Sequence, residues 1–158
     1  MKIKLNLSKK EFELFLNTVE FHEDSLKRVL NWVDNEIKHI KDGWYRDEEK
    51  DEKLDHCETN LKSVKNCNEL FKKIKVNNGK DEFEINDFEY NELLNFIVEQ
   101  IYHAKNRIED FKEDRFGWGK NNCHTLINQE NSYIKVLNKV FNKYCGNNTY
   151  ESILNKLS

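Results

Sequence analysis

Five polar residues interrupt otherwise apolar helical stripes. His22, Glu23, Gln100, Arg107 and Glu130 stand at positions whose neighbours one heptad away are mostly apolar. A histidine, an amide, a guanidinium and two carboxylates gathered between helices would form a polar gap able to hold a small ligand such as a nucleotide. The same residues have a purely structural use, because charges taken out of water must be paired and a buried pair can set helix register. If the hairpin carrying Arg107 and Glu130 turns near Trp118, facing residues sum to about 236 and the two side chains lie level. This predicts a buried or half-buried ion pair.

Catalytic chemistry finds less support. His56-Cys57 and Cys123-His124 are soft ligands in adjacent pairs, but neighbours on a helix point about 100° apart, so each pair offers one ligand at most. A ferritin-like carboxylate site needs Glu-x-x-His on two helices, and only Glu36 and His39 have that spacing. Cys57, Cys67, Cys123 and Cys145 are therefore expected inside helices as reduced thiols packed like small hydrophobes. No metal and no cofactor is expected. There is no GxSxG, Walker loop or GxGxxG, and the Arg-to-His spacing of helical HEPN ribonucleases is also missing.

Glu20-x-x-Glu23 followed by Glu48-x-x-Asp51 resembles the carboxylate signature of the all-helical MazG-type nucleotide pyrophosphohydrolases. That resemblance implies a metal-dependent nucleotide hydrolase holding magnesium on these carboxylates. Helical geometry opposes it. With a turn near residues 44 and 45, Glu23 lies level with Asn66, and Glu48 falls roughly 27 Å further along.

A second candidate surface is apolar. Leu14, Phe21 and Trp32 project within about 40° of one another, away from the main stripe of their helix, with Arg28 nearby. Either a C-terminal helix covers this strip or a partner does, another protein or a second copy of the chain.

The elements that must position these residues follow from periodicity. Phe12, Val19, Leu26, Val33 and Ile40 line one face of a helix of about 33 residues. A second helix, from about Asp47 to Val76, shows Leu54, Cys57, Leu61, Val64, Cys67, Phe71 and Ile74 on one face. A third carries Leu93, Leu94, Ile97, Ile101, Ala104 and Ile108, and a fourth Cys123, Ile127, Ile134, Leu137 and Phe141. Glycines at 43, 79, 117, 119 and 146 punctuate them. Shifting the chain by 78 lays Leu5 on Phe83, Phe15 on Leu93, Val19 on Ile97 and Leu30 on Ile108. This offset reads as an internal repeat.

The expected fold is all-α and a single domain, 1–158: a four-helix bundle of two tandem strand-helix-helix repeats with pseudo-two-fold symmetry. Repeat one is 1–79, repeat two is 80–146, and 147–158 is a short C-terminal capping helix with Asn148 or Thr149 as its N-cap. The alternating stretches KIKLNL and EFEIN should pair as a two-stranded ribbon at one end, setting Lys2 and Lys4 against Glu82 and Glu84. Under the repeat, Leu14, Phe21 and Trp32 correspond to Glu92, Glu99 and Asp110, so one copy has acquired something to contact.

The chain carries 26 basic and 29 acidic residues, which lacks the basic footprint of a general nucleic-acid binder. Only four of the basic residues are arginine, which limits bidentate phosphate recognition. No membrane span and no secretory leader is expected, placing the protein in the cytoplasm of a bacterial host cell. Twenty-two lysines and 22 asparagines suggest an AT-rich genome, as in a low-GC bacterium or its phage. The leading expectation is a non-catalytic binding protein, such as a phage or mobile-element accessory factor that inhibits a host defence protein, or an immunity protein. It would present Leu14, Phe21, Arg28 and Trp32. The alternative is a small-ligand or nucleotide-sequestering protein using the polar gap, and the third is the metal-dependent hydrolase.

Overall fold

Helix starts are written into the chain as local hydrogen bonds. Ser8 accepts from the Glu11 amide while Glu11 reaches back to the Ser8 amide, and Asn86 with Glu89 does the same 78 residues later. Each such capping box satisfies two orphan amides of a first helical turn. The computed structural model describes residues 1–158. It contains β1 (Lys2–Ile3), α1 (Lys9–Lys41), α2 (Asp47–Lys75), β2 (Phe83–Glu84), α3 (Asp87–Lys112), α4 (Lys120–Tyr144) and α5 (Tyr150–Leu157). The chain is thus mostly helical, with one small antiparallel sheet, and no helix is long and apolar enough to cross a membrane.

The two strands pair with Lys2 opposite Glu84 and Ile3 opposite Phe83, so one of the expected opposite charges sits directly across the ladder. Pairing is shorter than the alternation predicts, because Asn6 takes a left-handed conformation at φ 55° and turns the chain toward α1. Leu5, Leu7 and Ile85 are nonetheless fully buried. The Leu7 amide donates to the Gly79 carbonyl at 2.8 Å. Gly79 itself is required: its φ is +82°, and a Cβ there would stand 3.0 Å from Cβ and Cγ of Phe12. At the same end, the Tyr144 hydroxyl donates to the Lys4 carbonyl and Tyr90 donates to the Tyr144 carbonyl, both at 2.7 Å. These bonds tie α4 and α3 to the segment leaving β1.

α1 packs on α2 and α4, α3 packs on α4 and α2, and α1 meets α3 only sparsely. What lies between α1 and α3 near the sheet is a wedge of aromatic rings. Phe96 stands edge-on to Phe15 at 5.8 Å and to Phe71 at 5.2 Å, and all three are essentially inaccessible. Edge-to-face geometry adds about 0.5–1.5 kcal/mol per pair beyond area burial.

Two expectations are corrected, and one open alternative is decided. Leu54 and Leu61, read as part of the buried face of α2, are 40% and 38% exposed. The first hairpin's helices have 33 and 29 residues against 26 and 25 in the second, leaving less of the second hairpin to cover them. Cys145 lies just beyond α4 as its C-cap, not within a helix. The C-terminal helix does not settle on the Leu14, Phe21, Trp32 strip: α5, capped by Thr149, docks on α3 and buries Ile153 there.

Replacing Phe96 by alanine should cost about 3–5 kcal/mol in urea unfolding, whereas Phe88→Ala, at an exposed ring, should cost less than about 1 kcal/mol. Similar losses at the two positions would contradict the placement of the wedge.

Candidate functional site

Above Phe96, away from the sheet, the space between α1 and α3 turns polar. The transition is His22, packed edge-on against Phe71 and Phe96 at 5.7 and 5.3 Å and only 6% exposed. Its Nδ1 lies 3.4 Å from the side-chain nitrogen of Gln100 and 3.7 Å from the Glu99 carboxylate. Burial pushes the His22 pKa below the usual imidazole value, with the Glu99 and Glu92 charges pulling the other way. The ring is therefore neutral at neutral pH.

One turn further on, a cleft of about 310 Å³ opens between the two helices, lined by Phe21, Asp24, Ser25 and Arg28 from α1 and Gln100, His103 and Arg107 from α3. Both sets follow helical spacing, i, i+3 or i+4, i+7, so each is one face. Arg107 donates from Nε and Nη2 to the two oxygens of Glu130 on α4, each at 2.9 Å. This is the half-buried pair that the facing-residue count predicts: the arginine side chain is 38% exposed and the carboxylate 12%. The side-on fork engages two of the three guanidinium nitrogens and leaves Nη1 free. Arg28 forms no ion pair; Asp24, one turn earlier, sits instead 3.7 Å from Lys27. Phe21 is 45% exposed and meets Tyr133 of α4 edge-to-face at 5.9 Å.

Both residue sets singled out from sequence are thereby divided and partly merged. Phe21 and Arg28 of the apolar strip share the cleft with Gln100 and Arg107 of the polar gap, while His22 and Glu130 stand behind them. Glu23 belongs elsewhere: its carboxylate pairs with Lys75 of α2 at 2.7 Å. Leu14 is half-buried against the core, so it does not continue an exposed strip. Trp32 leans the other way, edge-on to His56 of α2 at 5.5 Å. The reason is that α1 lies between two neighbours, and Phe21 turns toward α4 while Trp32 turns toward α2. Ser25, His103 and Asp24 escaped notice because each is an ordinary polar residue on an amphipathic helix. The signal that marks them is the 3,4 spacing Gln100, His103, Arg107 opposite Phe21, Ser25, Arg28.

A second, narrower cleft of about 190 Å³ lies on the other side of His22, where Asn60, Ser63 and Cys67 of α2 face Glu92, Asn95 and Glu99 of α3, with Leu157 also in its lining. Ser63 and Cys67 both donate to Glu92, at 2.9 and 3.1 Å. Burial, reinforced by the Glu92 charge, pushes the Cys67 thiol far up. A thiol held protonated is a poor nucleophile.

No group of three or more His, Cys, Asp or Glu side chains is arranged to hold a metal ion. Cys123 donates to Asp114 at 3.3 Å, and Glu36 accepts from the Tyr45 hydroxyl at 2.7 Å. The Glu20, Glu23, Glu48, Asp51 set does not converge, since Glu23 is tied to the last residue of α2 whereas Glu48 and Asp51 open that helix. No protein-family model matches the chain, and no curated protein or solved structure is significantly similar to it.

The buried imidazole predicts a pH dependence. Because its native pKa is depressed below the ~6.5 of an unfolded histidine, the unfolded chain takes up the proton first as pH falls. The stability His22 contributes is complete above about pH 6.5 and shrinks below it. Urea unfolding between pH 7.5 and 5 should show the advantage of the wild type over His22→Gln narrowing with acidification; a constant difference would contradict the burial argument.

Proposed function

We propose that the chain is a non-catalytic binding protein whose recognition site is the cleft between α1 and α3. The observation that carries this is the convergence there of two of the chain's four arginines, Arg28 unpaired and Arg107 fixed by Glu130, in a lining that also holds the exposed ring of Phe21. Such a set binds an anionic group and orients it. The cleft lining carries no cysteine, and the Cys67 thiol of the neighbouring cleft is held protonated.

We further propose that the scaffold is a four-helix bundle of two tandem repeats. Support comes from two contacts that a two-fold axis between α1 and α3 would produce. His22 and Gln100, equivalent under the 78-residue shift, face each other. The strand register, Lys2 to Glu84 and Ile3 to Phe83, is centred on Lys4 and Glu82, which are also 78 apart. The ring of contacts α1 to α2, α2 to α3, α3 to α4 and α4 to α1 fits a bundle with α1 and α3 on a diagonal.

The lysine and asparagine content suits an accessory factor of a phage or mobile element in an AT-rich host, working in the host cytoplasm by holding its target. A second reading keeps the target on the projecting end of the first hairpin. There Trp32, Trp44 and Leu54 are 42%, 70% and 40% exposed, more apolar surface than isolated side chains account for.

Retention of material from native host extract on immobilised protein separates the two. Arg28→Glu with Phe21→Lys should abolish capture while shifting the melting temperature by no more than about 2 °C, both residues being exposed. Trp32→Lys should leave capture intact. Loss of capture by the Trp32 variant alone would move the site to the hairpin tip.

A further inference from the structure

We propose that the ligand of the α1–α3 cleft is a small molecule carrying a phosphate monoester on a flat ring, of the nucleoside monophosphate class; this rests on the cleft being the recognition site. Size points to a small molecule first. At about 310 Å³ the cleft stands at the lower end of the range typical of small-ligand pockets, roughly 300–1,000 Å³. Its lining also argues against a protein surface. Six of its seven residues are polar or charged, whereas the centre of a protein interface is depleted in charge and rich in apolar anchors.

The donors then select the anion. Arg28 brings a complete guanidinium from α1, and Arg107 brings Nη1 from α3, pre-oriented because Nε and Nη2 are clamped by Glu130. Ser25 adds a hydroxyl that donates only at 3.5 Å to the Phe21 carbonyl, and His103, whose Nε2 lies 3.6 Å from the Glu99 carboxylate, adds its Nδ1 side. Donors arriving from two opposed helices suit the three terminal oxygens of a phosphate monoester better than the two coplanar oxygens of a carboxylate.

The remaining lining suits what a nucleotide attaches to its phosphate. Phe21 is engaged by Tyr133 in a single edge-to-face contact, which leaves a ring face open for a base to stack on. Gln100 is 4% exposed; its amide nitrogen faces His22, while its carbonyl oxygen has no partner within the protein and can accept from an exocyclic amine or a sugar hydroxyl. Asp24, the one acidic side chain of the lining, offers a second acceptor on the rim.

Calorimetric titration of the full chain at low salt tests the assignment, using the four common nucleoside 5′-monophosphates, the matching nucleosides, inorganic phosphate and a hexaglutamate peptide. At least one monophosphate should bind ~10-fold or more tightly than its nucleoside or phosphate alone. Arg28→Ala should weaken it ~10-fold, and Phe21→Ala should weaken the nucleotide but not inorganic phosphate. Arg107→Lys, which keeps a charge beside Glu130 but loses the fork, should also weaken it with the fold intact by circular dichroism. Phosphate binding as tightly as every nucleotide would overturn the proposal, as would the absence of binding by any nucleotide at ~1 mM. Hexaglutamate bound in an Arg28-dependent manner, with nucleotides ignored, would overturn the ligand class and leave the cleft as the recognition site. Silence from all probes and unaltered capture by the Arg28 variant would remove both.

Discussion

The polar architecture of this molecule depends on where the aromatic filling between α1 and α3 stops. Near the sheet, Phe15, Phe71 and Phe96 occupy that space and water is excluded. One turn higher the side chains in the gap are His22 and Gln100, which touch each other but cannot seal the gap, because each keeps polar atoms that need partners or water. Packing there is incomplete, and an open cleft lies beyond them. Arg107 is held at its edge by Glu130, and here magnitude decides the role. An exposed pair is worth ~1 kcal/mol or less, but Glu130 is 9% exposed, so leaving it without Arg107 would cost more than the pair contributes. The two-point clamp orients the arginine, which lowers the entropic cost of using its free edge for binding.

That arrangement puts asymmetry on a scaffold proposed to be symmetric. Under the 78-residue shift, Phe21 corresponds to Glu99 and Arg107 to Val29, so the residues that make the cleft on one side of the His22–Gln100 contact have no equivalents on the other. There α3 presents Glu92 and Glu99 instead, with Ser63 and Cys67 of α2 donating to Glu92. Two clefts of opposite electrostatic character thus flank one buried histidine, and the cationic one is the wider.

Much of the fold was legible in the sequence because its signals are local. Apolar periodicity gave all four long helices, the N-cap of the last helix was narrowed to Asn148 or Thr149 and is Thr149, and the level of Arg107 with Glu130 follows from hairpin length alone. What depends on lateral placement was not legible. Phe21 and Trp32 share a helical face, yet one meets Tyr133 and the other His56, since the flanking helix each one reaches is set by tertiary packing. For the same reason Leu54 and Leu61 read as core and are exposed, and Glu23 read as part of the polar gap and binds Lys75. The cleft had a signal, two facing rows at 3,4 spacing, but its meaning required knowing that α1 and α3 oppose each other across it.

The most direct test of the cleft as the recognition site is backbone amide chemical-shift mapping by NMR during titration with nucleoside monophosphate. The account predicts perturbations concentrated at residues 21–28 of α1 and 100–107 of α3, with the Arg107 side-chain Nε signal shifting in the same titration. Shifts confined to the hairpin tip around Trp32, Trp44 and His56, or spread evenly over the surface lysines, would contradict it.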